Sequence, residues 1–279
     1  MTRAGKHKIC ESIDKEGEQL ENYTKYKLKE HDELVSVLAD KDNLFIIACN
    51  KCFKEFETID EPDCGEFEKI VAEQGKNVVG TAKVDFLCNK VQTEKKLQDM
   101  IPDGAENIFV ISCGLGIQTV ADLAGKPVFA ASNSLNYTGH HGMALTKKSC
   151  DACAQCYLNI TGGICPIVDC SKSLVNGQCG GAKNGKCEVD GEKDCAWEKI
   201  YRRLEKQGRL QEFLDQPVQV RDYSKVNFKV VQDYVKSIRE NRLDGYYGGV
   251  HPSERKEFSE HLALERFPEP QTVVIPLSQ

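Results

Sequence analysis

The sequence lacks a basic excess: 37 lysines and arginines stand against 43 acidic residues, for a formal net charge of −6. A phosphate-binding surface needs a positive surplus or a basic stripe, so nucleic acid is not an expected partner. Long apolar runs are missing too. None approaches the roughly 18–20 residues of a membrane span, and no span is expected. Residues 1–10 are basic and polar with no apolar stretch behind them, unlike a secretory leader, which leads us to expect a cytoplasmic protein. There is no internal repeat of useful length. Ser-His-Asp chemistry and paired catalytic carboxylates have no local signature, so no residue is assigned acid–base work.

Cysteine is what the chain has in quantity, with fourteen in 279 residues. Disulfide scaffolds are usually much smaller and belong to oxidising compartments. In a reducing compartment, dense cysteines at short fixed spacings point to metal.

The order of patterns along the chain predicts an α/β protein. Residues 1–40 are strongly charged, with apolar positions at roughly helical spacing (Ile13, Leu20, Tyr23, Tyr26, Leu34, Val37), and read as an exposed helical arm. Cys10 within it reads as a free thiol. Residues 41–135 alternate strand and helix. Strands are expected at 43–48, 78–87, 108–112 and 128–131. Helices are expected after Asp63, with Glu66 completing a capping box and Gly75 as a stop, then at 91–100, and at 117–124 before Gly125. This β-α-β-α-β-α-β order predicts a Rossmann-like parallel sheet covered by helices. Residues 136–215 form a cysteine-rich segment. Its first part is rich in Gly, Asn and Cys and has little periodicity, so metal ligation must supply the order that a core does not. From Asp194 a helical face returns (Trp197, Ile200, Tyr201, Leu204). A further helix at 225–240 falls within the last stretch, 216–279.

Eight cysteines mark the irregular segment: Cys150, Cys153, Cys156, Cys165, Cys170, Cys179, Cys187 and Cys195. The first three are spaced C-x2-C-x2-C, which lets one tight loop direct three thiolates at a single cluster while the fourth ligand comes from further along. Cys165 precedes Pro166. A Cys-Pro pair after such a triplet resembles bacterial ferredoxins, in which that cysteine serves the other cluster, although the gap here is longer. Eight thiolates make two sites of four, each able to hold a [4Fe–4S] cluster or a zinc ion. Zinc prefers paired C-x2-C knuckles. The triplet favours a cluster, and spacing leaves the remainder open, including a purely structural staple. Glycines at 162, 163, 177, 180, 181 and 185 let backbone N–H groups approach the sulfurs.

A second constellation follows the strand ends. Cys49 and Cys52 come after the first expected strand, Cys88 after the second and Cys113 after the third. In a parallel sheet these ends share one edge, where such folds build their sites. Cys49, Cys52, Cys88 and Cys113 are therefore candidate ligands for zinc or a third cluster. The alternative is that they are small buried residues. Cys64 looks spare. The Gly114-Leu115-Gly116 turn invites a dinucleotide reading, but Thr119 stands where the third glycine belongs and the acidic ribose ligand is not evident. His140-His141 reads as an exposed loop.

The stretch GGICPIVDCSKSLVNGQCGGAKNGKCEV, followed by DCAWEKIYRRLEKQGRL, closely resembles the C-terminal domain found with methylenetetrahydrofolate reductases. Together with CNKC, Cys88 and CGLGIQTVAD, it resembles the small MetV-type subunit over roughly residues 41–215. Gln178 stands where that family has proline, and Phe56 where it often has a third cysteine. The resemblance implies an iron–sulfur and zinc subunit that partners a flavin-bearing catalytic reductase in one-carbon (Wood–Ljungdahl) metabolism. The tail, with Gly248-Gly249-Val250-His251-Pro252 and VIPLSQ, resembles the start of RnfC-type NADH-oxidising subunits. That implies a fused segment or a docking arm for such a partner. The expected function is thus electron transfer through two [4Fe–4S] clusters. The competing expectation is a structural zinc protein, and a weaker one is a free-standing enzyme using the sheet-edge metal.

Overall fold

The computed structural model describes residues 25–50, 64–136 and 148–226. Cys10, Cys52, the Asp63 cap, the 140–141 histidine pair, nearly all of the 225–240 helix and the RnfC-like tail lie outside the described residues.

The chain is a mixed α/β fold around a four-stranded parallel sheet. Its strands are β2 (Leu44–Cys49), β3 (Val78–Val84), β4 (Asn107–Ile111) and β5 (Val128–Ala130), in the order β3-β2-β4-β5. Strand β2 is buried along its whole length, as expected of a parallel strand covered on both faces. Leu44, Ile46 and Ala48 enter one core with Phe109, Phe129 and helix α2 (Cys64–Glu73). Phe45, Ile47 and Cys49 enter the other with helices α3 (Lys90–Met100) and α4 (Gly114–Leu123). The helix ends follow local chemistry: the Asn89 side chain accepts the Gln92 N–H at 3.2 Å, and Gly75 and Gly125 take left-handed stops at φ +65°. Among the described residues, no helix is long and apolar enough to cross a membrane.

Residues 25–40 differ from the exposed arm expected there. Strand β1 (Lys25–Leu28) pairs antiparallel with β6 (Ser132–Asn136). Helix α1 (His31–Leu38) buries Leu34 and Leu38 completely against the first core. Each such leucine contributes about 1.5–3 kcal/mol. The strand's partner lies more than a hundred residues away, so four residues of weak pattern carried no local signal.

The cysteine-rich segment packs on the sheet. Leu158 is part of the second core, and Cys156 and Cys165 pack against it. The Asn159 amide brackets β5, accepting the Ala130 N–H at 2.6 Å and donating to the Ala130 carbonyl at 3.1 Å. Arg209 donates to the Asn159 carbonyl at 2.8 Å and stacks on Phe129, 4.5 Å from the ring centroid. Helix α5 (Pro166–Asp169) is a single turn, helix α6 (Ala196–Lys206) buries Ala196, Trp197, Ile200 and Leu204, and helix α7 (Leu210–Leu214) follows. From α6, Arg203 reaches the Ala121 carbonyl at 3.0 Å and Asp122 at 3.2 Å. Gly163 makes this approach feasible: at φ +83°, a Cβ there would sit 2.3 Å from that of Ala121.

Candidate metal centre

The loop carrying Cys150, Cys153 and Cys156 is held by β6. The Ala154 N–H donates to the Ser134 carbonyl at 3.0 Å, and the Cys156 N–H to Asn133 Oδ1 at 2.9 Å. Between the cysteines, Ala152 and Ala154 take left-handed conformations, φ 44° and 54°. For a residue with a Cβ this costs on the order of 1–3 kcal/mol and points to a constraint on the loop. What the curl achieves is visible at the sulfurs. The Ala152 N–H and Ser134 hydroxyl favour the Cys150 thiolate, and the Leu158 N–H that of Cys156. Cys165 caps α5 without a side-chain cap hydrogen bond, and the Val168 and Ile167 N–H groups only partly oppose the rise of its thiol.

Electrostatics put these side chains in one neighbourhood. Burial pushes the Cys150 thiol up to about 11, and Cys113 and Cys153 add to the rise. Burial pushes Cys156 up to about 12, with Lys29 opposing and Cys150 and Cys153 adding to the rise. Cys165 is raised as well, by burial first and then by Cys156 and Cys150. Left to themselves, Cys150, Cys156 and Cys165 stay protonated at neutral pH. A bound metal centre supplies the positive charge that makes them thiolates. The N–H groups already aimed at the sulfurs suit that state.

Cys170, Cys179, Cys187 and Cys195 line a separate cavity of about 20 Å³, together with Trp197. Cys170 ends α5 and Cys195 caps α6. A small folded turn connects them, with the Cys187 N–H donating to the Lys193 carbonyl and the Cys195 N–H to the Gly185 carbonyl, both at 2.8 Å. The Ser171 hydroxyl and the Val189 and Asp190 N–H groups hold the Cys187 thiol below its ordinary value. Cys179 donates to Glu188 Oε2 at 3.3 Å. Gly177 sits at φ +115° beneath Tyr201, whose hydroxyl would lie 2.8 Å from a Cβ there. The eight sulfurs thus fall into two runs without crossing. Cys165 stays with the triplet rather than joining the later cysteines.

At the sheet edge, Cys49 ends β2 and Cys113 follows β4. They flank the point where the strand order reverses, the usual binding crevice of open α/β sheets. Cys113 is raised by burial first and by Cys49 second. Cys88 and Cys64 pack, like Cys113 and Cys150, on the first core, whereas Cys49 packs on the second. Cys64 therefore belongs to this neighbourhood, which its place in the first turn of a helix did not reveal. The Gly-Leu-Gly turn packs close to the sulfurs. The Gly114 N–H donates to Ser134 Oγ at 2.7 Å, and a Cβ on Gly114 would lie 2.7 Å from Cys150 Sγ. A Cβ on Gly116 would lie 2.2 Å from Ser112 Oγ. Gly114→Ala is expected to turn the Cys150 sulfur away, because the clashing atom is a side-chain tip that rotates. Metal bound by the triplet should fall several-fold, as measured by iron and zinc analysis, with the far-ultraviolet circular dichroism unchanged.

Among the described residues, no three His, Cys, Asp or Glu side chains are gathered tightly enough for a single ion. The donor chemistry still fits a soft centre: thiols dominate both runs, with Cys113 beside the first and Asp169 and Glu188 beside the second. A four-iron cube also holds its thiolates further apart than one ion does. A groove of about 590 Å³, lined in part by Cys156, Tyr157, Arg209 and Glu33, borders the first run.

All eight of these cysteines fall in the segment that has known relatives. Residues 129–224 match the family described as the C-terminal region of methylene-tetrahydrofolate reductase. No curated protein matches the chain, and no solved structure does. The methylene-tetrahydrofolate reductase match begins within β5 and ends beyond α7, so β1 to β4, with Cys49, Cys88 and Cys113, lie before it. The match also takes in Asn133 and Ser134, the β6 residues that hold the triplet loop. Sequence reasoning missed them because short polar residues in a strand carry no ligand signature.

Proposed function

We propose that the chain is an electron-carrying subunit of a methylenetetrahydrofolate reductase assembly, with one iron–sulfur cluster bound by Cys150, Cys153, Cys156 and Cys165 and a second by Cys170, Cys179, Cys187 and Cys195. The observation that carries this reading is the separation of eight thiols into two sets of four inside the segment that matches the reductase family. When bound, such clusters supply one-electron carriage. The protein's part is to present thiolates, direct N–H groups at them and, around the first set, exclude water. The flavin and the folate belong to a catalytic partner, and the tail is proposed to dock an RnfC-like donor. Cys49, Cys52, Cys88 and Cys113 are proposed to hold zinc or a third cluster.

Full-length protein handled without oxygen is expected to contain about eight irons, with a visible absorbance band that bleaches on reduction and an electron paramagnetic resonance signal that appears. Iron-free protein after reconstitution with iron and sulfide would sink the proposal. A structural zinc role is the second reading. The 20 Å³ cavity favours it, because that space suits one water-sized occupant. It calls for stoichiometric zinc and no redox spectrum.

A further inference from the structure

Lys29 is a lysine from outside the cysteine segment, and it is almost wholly buried. It follows β1, and its backbone N–H donates to the Ala131 carbonyl at 2.9 Å. Only 1% of its side chain is exposed, while its ion-pair partner Glu33, on α1, is 44% exposed. Its ammonium donates to the Cys156 carbonyl at 3.2 Å, and its charge opposes the rise of the Cys156 thiol. The ammonium ties the segment after β1 to the cysteine loop as well as placing a charge beside it. An apolar residue would fill the space without the several kcal/mol that burying an ammonium costs.

We infer that Lys29 raises the reduction potential of the group held by Cys150, Cys153, Cys156 and Cys165, and that Glu33 tempers it. The inference rests on the iron–sulfur reading of those cysteines. On reduction one electron enters the group and no bond breaks, so its negative charge grows by one unit. A fixed ammonium beside Cys156 favours that state, and it acts strongly because burial leaves little water to screen it. Glu33, partly exposed, pairs with the ammonium and offsets part of its field. Other charges near this loop are paired: Asp151 with Arg221 at 3.3 Å and Lys148 with Asp122 at 3.1 Å. The second set of cysteines has no share in Lys29. The charges around that set include Glu188, on Cys179, Lys172, which pairs with Glu188, Asp169 and Lys193.

The test is a dithionite potentiometric titration of the full chain, loaded with iron and sulfide without oxygen and followed by electron paramagnetic resonance. Lys29→Met should move one midpoint to lower potential and leave the other in place. Glu33→Gln should move that same midpoint upward, and Lys29→Arg should leave it near the wild-type value. In Lys29→Met with Glu33→Gln the two opposite shifts should partly cancel. A merely structural lysine would change iron content without producing opposite shifts. Unchanged midpoints in fully loaded Glu33→Gln and Lys29→Met would overturn the inference and leave the electron-carrier proposal standing. A wild-type protein that takes up no iron would end both.

Discussion

Replacing Cys165 with alanine will remove about half of the protein's iron, and adding Cys153→Ala to it will remove almost none beyond that. Cys165 shares a buried neighbourhood with Cys150 and Cys156, and the triplet loop is locked to β6 through Ser134 and Asn133. Residues acting as one site do not add, and residues of separate sites do. Cys165→Ala combined with Cys195→Ala should therefore lose nearly all the iron, since Cys195 lines the other cavity with Cys170, Cys179 and Cys187. The same pairs separate this arrangement from the ferredoxin pattern, in which the cysteine before proline serves the other cluster. If that pattern held here, Cys165 would be additive with Cys153 and redundant with Cys195. Iron analysis and the spin count of each variant, prepared without oxygen, give the answer directly.

Trp197→Ala will lower the stability of the folded chain by about 3–5 kcal/mol, the usual range for a large aromatic lost from a core. Trp197 is 1% exposed and contacts the rings of Tyr201 and Phe213, at centroid distances of 5.7 and 5.3 Å. Its indole N–H donates to the Leu174 carbonyl at 2.9 Å. It also forms part of the cavity wall shared by the four later cysteines. The loss should therefore appear twice, as a lower denaturation midpoint and as selective depletion of the second metal site. Trp197→Phe keeps most of the ring and removes the N–H donor, and should cost about 1–3 kcal/mol. Equal effects from both variants would show that the indole hydrogen bond, and not the bulk, fixes the α6 end of the site. Urea denaturation of the protein as purified, with metal analysis beside it, checks both expectations.

Much of the central fold was legible in the residues. The apolar run at 44–48, the periodic faces of α2 and α4 and the glycine stops at 75 and 125 are local signals whose reading needs no distant partner. The β1–β6 ribbon was not legible, because four polar-flanked residues become a strand only when another strand lies beside them. Burial of Leu34 and Leu38 in a highly charged stretch was hidden for a related reason: a narrow apolar stripe resembles a solvated helix until something covers it. At the candidate site, spacing singled out Cys150, Cys153 and Cys156, while the other five candidates were only cysteines of the same segment. Spacing could not say which four belong together, nor that Gly114 is small so that the Cys150 sulfur can approach.

The sequence by itself determined the α/β alternation and the clustering of cysteines in one segment. These follow from side-chain chemistry and from periods of a few residues. Tertiary structure alone decided what anchors the triplet loop, which cysteines share a cavity and which charge stands beside them. Those depend on contacts between residues up to 127 positions apart, such as Lys29 with the Cys156 carbonyl. The free energy of such contacts comes from burial and mutual geometry, which exist only once the chain has closed on itself.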